Sequence, residues 1–186
     1  MVAPVALPEV IVIEPKVFKD GRGWFYESYS ARTMELLGIR DVFVQDNHSY
    51  SARRGVIRGL HYQAPPMAQT KLVRCTAGSV LDVAVDIRFG SPTYAKWFGA
   101  VLSAENRKQL YIPKGFAHGF LTLEDDCEVQ YKVDKFYSKE HDRCIRYDDP
   151  DIGVEWGAEE ALLSEKDMRA PYLKDAGKDF VWGRMR

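Results

Sequence analysis

The sequence predicts an all-β protein, a sandwich or barrel of many short strands with a few short helices on its flanks. Three observations lead there. Apolar and polar residues alternate with period two in VLDVAVDIR (residues 80–88) and CEVQYKVD (127–134), the pattern of a half-buried strand. Turn signals separate such runs, at Asp20-Gly21, Arg54-Gly55, Ala77-Gly78, Gly90-Ser91-Pro92 and Pro113-Lys114-Gly115. The middle of the chain carries almost no helical pattern, and the combination argues for packed or closed sheets.

In chain order, the opening MVAPVALPEVIVIEP is apolar but lacks a basic leader or a small-residue cleavage site. Pro4 and Pro8 precede the run Val10-Ile11-Val12-Ile13, and the stretch does not read as a signal peptide. The clearest helix follows: Ser30 as N-cap, then ARTMELL, then Gly38 as the stop. In the first alternating strand Leu81, Val83, Val85 and Ile87 oppose Asp82, Ala84, Asp86 and Arg88. Each such strand is expected to bury one face. In the second, Tyr131 shares a face with Cys127, Val129 and Val133. Its phenol should point inward, where it needs a ligand or a backbone group as partner. After Trp156 the tail, with GAEEALLSEKD, is expected to turn helical and polar.

A length of 186 residues fits one domain spanning 1–186. Hydrophobic residues make up 46% and charged residues 28%, an ordinary globular balance. The net charge of −1 provides no basic field for nucleic acid or an anionic membrane. No apolar stretch is long enough to cross a bilayer. Cys75, Cys127 and Cys144 are odd in number and far apart, as expected of reduced thiols in a cytoplasmic protein.

Candidate chemistry centres on histidines, of which there are His48, His61, His118 and His141. In PKGFAHGF the spacing Pro113, Gly115, His118 resembles the second motif of the cupin jelly rolls, where that His commonly binds a metal. The partner motif of metal cupins has two His one residue apart, then Glu; here GLHYQAPP supplies only His61. Divalent metals want three or four converging ligands, so a cupin-type jelly-roll barrel without a metal is expected. His141 and Cys144 form a lone H-x-x-C pair, weak as a zinc signal.

A longer series of segments follows one order: FKDGRGWFYESY (18–29), VQDNHSYSARRGVIRGLHYQ (44–63), KLVRCTAGSVLDVAVDIRFGSPTY (71–94), LYIPKGFAHGF (110–120), VQYKVDKFYSKEHD (129–142) and LSEKD (163–167). Together they resemble the dTDP-4-dehydrorhamnose 3,5-epimerase family. That resemblance implies inversion of the carbons beside a C4 ketone, on a nucleotide-diphosphate 4-keto-6-deoxyhexose, with no cofactor. Such chemistry needs a base, an acid on the opposite face and a donor to the enolate oxygen. By position the resemblance makes His61 the base, Asp167 its carboxylate partner, Tyr131 the acid and Lys71 the group near the C4 oxygen. It makes Arg22, Glu27, Gln45, Asp46, Asn47, Arg58, His118 and Lys166 contacts to nucleotide, diphosphate or sugar. It has Tyr137 stack on the base and makes Asp142, which stands where the family often has Glu, a further substrate contact. The resemblance further implies a homodimer, with the Val10–Ile13 run suited to crossing into a partner's sheet.

Ordinary structural roles compete for these residues. Ser164-Glu165-Lys166-Asp167 also fits the S-x-x-[DE] capping box, so Asp167 could serve only as a helix cap. Uninterrupted alternation sets His61 with Ile57 and Gln63, and Arg58 with Leu60 and Tyr62. Lys71, Arg58 and Arg22 would be surface charges by default. The rival functions are a single-centre epimerase acting at C3 or C5, a metal-dependent cupin enzyme, and a non-catalytic sugar-nucleotide binding module.

Overall fold

The computed structural model describes residues 7–158 and 160–184, and lays them out as short strands with two short helices. In chain order these are β1 (Ile11–Ile13), β2 (Phe18–Asp20), β3 (Gly23–Phe25), α1 (Ala31–Leu36), β4 (Gln45–Ser51), β5 (Ile57–Gln63) and β6 (Lys71–Ala77). There follow β7 (Ser79–Asp86), β8 (Trp97–Ser103), β9 (Gln109–Ile112), β10 (Phe116–Thr122), β11 (Cys127–Val133), β12 (Asp142–Cys144) and α2 (Glu165–Met168). One sheet has the order β1-β9-β6-β11-β4 and the other β12-β5-β10-β7-β8, while β2 and β3 form a separate hairpin. The strand pairs are antiparallel. The all-β architecture expected from the turn spacing is observed, and it is the cupin-type jelly roll that the motif resemblance implied.

The core between the sheets is built from inward side chains of both. Val73, Cys75, Leu110, Ile112, Cys127 and Val129 come from the first sheet, and Val80, Ala84, Phe98, Leu102, Phe116 and Phe120 from the second. Each Val, Leu, Ile or Phe among them contributes about 1.5–3 kcal/mol when fully buried. The strands β6 and β7 pass from one sheet to the other through Gly78 alone, at φ +69, where a Cβ would lie 2.6 Å from the Cys127 Sγ. Only glycine meets both demands.

Helix α1 forms as expected: Ser30 caps it by accepting from the Thr33 N–H, and Gly38 follows at φ +82. Its Met34 packs with Ile13, Ile39 and Leu72 on the outside of the first sheet.

Two expectations are corrected. The strand β7 buries both faces, not one. Its Leu81, Val83 and Val85 pack outward under Ile145, Ile152, Trp156, Leu173 and Phe180 of the C-terminal chain. Its other face turns inward, so Asp82 and Asp86 are wholly buried. Asp86 is satisfied by the Arg88 guanidinium and by the Ser91 and Thr93 hydroxyls. The tail after Trp156 is largely irregular: Leu162 forms a bridge with Val56, and the helix begins only after Ser164. The Leu162 bridge to Val56 and the packing of Ala161 and Leu163 against the outer core win over the modest helix propensity of the run. Ile11–Ile13 pairs with β9 at the edge of the first sheet. Pro4 lies outside the described residues.

Candidate active site

The site lies where the two sheets open, in a cavity of about 590 Å³ lined by side chains from β5, β6, β10, β11 and β12 and from the turn around α2. Its shape depends on an irregularity in β5. The partner register runs from His118↔His61 to Phe120↔Arg58, so β5 holds one residue more than β10 across this step. Such a bulge reverses the alternation beyond it. Arg58 and His61 therefore line the same cavity, while Leu60 packs wholly into the outer core and Ile57 and Tyr62 lie in that core at the cavity's border. The expectation from uninterrupted alternation, which put Arg58 and His61 on opposite faces, is thereby corrected. At the bulge Gly59 has φ +151, and a Cβ there would lie 2.5 Å from the Gly119 Cα. Two glycines let the strands touch.

His61 Nε2 stands 2.6 Å from Asp167 Oδ1. Asp167 is buried and its own N–H donates to the Ser164 Oγ at 3.1 Å. The helix cap is thus made by Ser164, which leaves the Asp167 carboxylate aimed at the imidazole. Both roles considered for this segment are filled, by different atoms. Burial alone would raise the Asp167 carboxyl, but the His61 hydrogen bond and charge, with the Ser164 hydroxyl and Lys166, hold it below its ordinary value.

Lys71 is buried on β6, donates from Nζ to the His61 carbonyl oxygen at 3.3 Å, and sits 5.9 Å from the centre of the Tyr131 ring. Desolvation pulls its ammonium down to about 8, against the pull of Asp82 and Asp142. The surface-charge alternative for Lys71 does not hold. Tyr131 lines the cavity on the same face as Val129, as its strand position indicated. Burial pushes its phenol upward, with Arg58 opposing and Asp142 adding, so it stays protonated at neutral pH.

His118 lies deeper, with Nε2 2.5 Å from Oδ1 of Asp82, a residue that sequence reasoning did not single out. Only the sheet register, which sets β7 beside β10, reveals the pair. Burial lowers the imidazole of His118 despite the carboxylate beside it.

At the mouth, Lys166 Nζ meets Asp142 Oδ2 at 2.5 Å, and the Tyr137 hydroxyl donates to the same oxygen at 3.2 Å. The exposed Tyr137 ring is held by its backbone: its N–H donates to the Gln45 Oε1, and the adjacent Ser138 N–H to the Gln63 Oε1. Gln63, quoted in a motif but given no role, anchors this loop.

Five expected contacts lie elsewhere. Gln45 and Asn47 sit on the inward side of the edge strand β4 without lining the cavity, and hydrogen-bond each other. Asp46, between them, faces out and pairs with Lys132 at 2.8 Å. Strand alternation forbids all three from turning inward together. Arg22 is exposed at the β2–β3 turn, paired with Asp20, and Glu27 borders a different groove with Phe25 and Met34. The single chain does not bring Arg22 or Glu27 to His61.

An imidazole–carboxylate dyad and a protonated phenol opening into one barrel cavity, with an ammonium between them, define an acid–base enzyme of the cupin-fold class. The dTDP-4-dehydrorhamnose 3,5-epimerase family model matches residues 4–175. The chain is 53% identical to the dTDP-4-dehydrorhamnose 3,5-epimerase of Shigella flexneri, over 91% of this chain and 94% of that one. It resembles the crystal structure of a 3,5-epimerase from Legionella pneumophila in complex with dTDP-4-keto-L-rhamnose, with TM-score 0.89, 49% identity, and 93% and 92% of the two chains covered. A 3'-monoepimerase from Streptomyces bikiniensis in complex with dTDP-quinovose matches with TM-score 0.85 at 32% identity, covering 93% of this chain and 88% of that one. The chain belongs to the dTDP-4-dehydrorhamnose 3,5-epimerase family.

Proposed function

We propose that this chain inverts C3 and C5 of dTDP-4-keto-6-deoxy-D-glucose, giving dTDP-4-keto-L-rhamnose. The observation that carries the reading is the cavity shared by the His61–Asp167 dyad and Tyr131. In the chair of this sugar the hydrogens on C3 and C5 are both axial on one face. A single base on that face reaches both in turn, and a single acid on the other face returns both protons. His61, with Asp167 holding its imidazolium, is the base; Tyr131 is the acid. The Lys71 ammonium stabilises the enolate oxygen at C4. Arg58, His118 and Lys166 bind diphosphate and sugar, and Tyr137 stacks on the base.

The 3,5-reading is favoured over single-centre inversion by the identities, 53% and 49% to 3,5-epimerases against 32% to the monoepimerase. The reaction runs without a metal in this proposal: each cavity histidine gives Nε2 to one carboxylate, and no three His, Cys, Asp or Glu side chains converge as a ligand set among the described residues.

The protein works as a homodimer. Arg22 and Glu27 lie on or beside a hairpin that exposes Phe18, Trp24 and Phe25, an apolar patch suited to a second copy. That copy's cavity receives the two charges. No helix among the described residues is long and apolar enough to cross a membrane, and the free thiols Cys75, Cys127 and Cys144 suit the cytoplasm.

The test is incubation with dTDP-4-keto-6-deoxyglucose in D2O, counting deuterium at C3 and C5 by NMR and trapping the product with a ketoreductase to read its configuration. Two labelled, inverted carbons support the proposal; one supports a monoepimerase; none rejects this substrate.

A further inference from the structure

Two inversions on one sugar create a problem of proton balance that the dyad and the phenol alone do not solve. In the first inversion a C–H proton passes to His61 while the Tyr131 O–H proton passes to the same carbon from the other face. The enzyme is left with an imidazolium at His61 and a phenolate at Tyr131. The second inversion needs a neutral imidazole and a protonated phenol.

The floor of the cavity holds groups between these two. His118 is the direct cross-strand neighbour of His61, and its ring centre lies 6.3 Å from that of Tyr131. Behind it stands Asp82, wholly buried, with Oδ1 on the His118 Nε2 and Oδ2 without a hydrogen-bond partner among the described residues. A buried carboxylate oxygen left without a partner destabilises the fold, a cost that a purely structural pair of apolar side chains would avoid. The catalytic scheme above gives Asp82 no task beyond its pull on the Lys71 charge.

We propose that the His118–Asp82 pair carries a proton from His61 back to Tyr131 between the two inversions; this rests on the epimerase reading above. The His61 imidazolium gives its proton to His118, whose positive charge the Asp82 carboxylate balances. His118 then gives a proton to the Tyr131 phenolate. Imidazolium and phenolate become imidazole and phenol, and no outside acid or base is consumed. Burial disfavours a charged His118 at rest, so the pair accepts a proton only briefly and passes it on. Asp82 is a positioning residue: it acts on the sugar only through His118.

The test is a single turnover with enzyme in excess over dTDP-4-keto-6-deoxyglucose, quenched at intervals, trapped by reduction of the ketone and read by NMR for the configuration of both carbons. With Asp82→Asn the first inversion should keep its rate within about threefold while the second slows at least about tenfold, a modest share of what a positioned proton carrier supplies. Singly inverted sugar then accumulates. Equal slowing of both inversions, or of neither, overturns the relay, since a purely structural or binding role moves both alike. If Asp82→Asn does not fold, Asp82→Ser is read for the same ratio of rates. Wild-type enzyme that inverts neither carbon refutes the epimerase reading instead, so the two failures are distinguishable.

Discussion

His61 on β5 and Asp167 on α2 are 106 positions apart in the chain, yet their side chains meet at 2.6 Å. The contact separates two functions that a sequence motif merges. The Ser164 hydroxyl caps the helix and the Asp167 carboxylate charges the imidazole. Asp167→Asn keeps the shape and removes the charge, so kcat should fall by about 10²–10⁴. Ser164→Ala should instead cost about 1 kcal/mol of stability with a smaller effect on rate. The carboxyl is held below its ordinary 3.8. Its stabilising contribution is therefore complete above that pH and fades as the pH falls through the depressed value. Chemical denaturation of the wild type and Asp167→Asn at pH 7 and pH 3 should show the difference between them shrinking in acid. A difference independent of pH would remove the dyad.

Lys71 offers the opposite trade. A buried ammonium pulled from 10.5 to about 8 weakens the fold by on the order of 3 kcal/mol at neutral pH. Because the unfolded chain holds this proton more tightly, stability rises with pH between about 8 and 10.5. Lys71→Met should thus raise the unfolding midpoint at pH 7 while abolishing epimerisation. In the wild type kcat should fall as the pH rises past about 8, when the ammonium is lost. Lys71→Arg should move that fall to higher pH. A Lys71→Met protein that is less stable would show that the charge is better compensated than its burial implies.

Much of this was legible in the chain. Strand alternation correctly placed Tyr131 inward, and Ser30 and Gly38 bounded a real helix. What escaped has a common physical origin: pattern reports which side of a strand is apolar, but not what covers it. The face of β7 carrying Asp82 and Asp86 looked polar and is buried, because the partners of those carboxylates come from β10 and from the loop after β7. The alternation through β5 misled for another reason. A bulge needs the neighbouring strand to be defined, and Gly59 alone did not announce one.

That bulge can be tested. At Gly59 a Cβ meets the Gly119 backbone at 2.5 Å in a left-handed conformation at φ +151. Gly59→Ala must therefore shift β5 against β10. The cost should exceed the roughly 1 kcal/mol of a glycine with positive φ and open surroundings. Gly90, at φ +84 with nothing near its Cβ position, is that control. Gly90→Ala should lose about this much stability and keep its kcat. Gly59→Ala should lose both, because Arg58 and His61 no longer share a face. Unchanged kcat in folded Gly59→Ala would mean that the site tolerates the lost register.

Tyr131 distinguishes acid from spectator most sharply. If the phenol delivers the proton opposite His61, its removal leaves abstraction intact, since His61, Asp167 and Lys71 are untouched. The carbanion then waits, and the proton most available to it is the one on His61, which has exchanged with solvent. Tyr131→Phe in D2O should consequently take up deuterium at the carbons beside the ketone while retaining their configuration. Inverted product should fall by about 10²–10⁴. The loss of one hydroxyl from a side chain that packs against the core around Val129 should leave the unfolding midpoint nearly unchanged. Tyr131→Phe that inverts both centres at the wild-type rate would assign the second face to another donor, and the phenol would be a packing residue with a ligand contact.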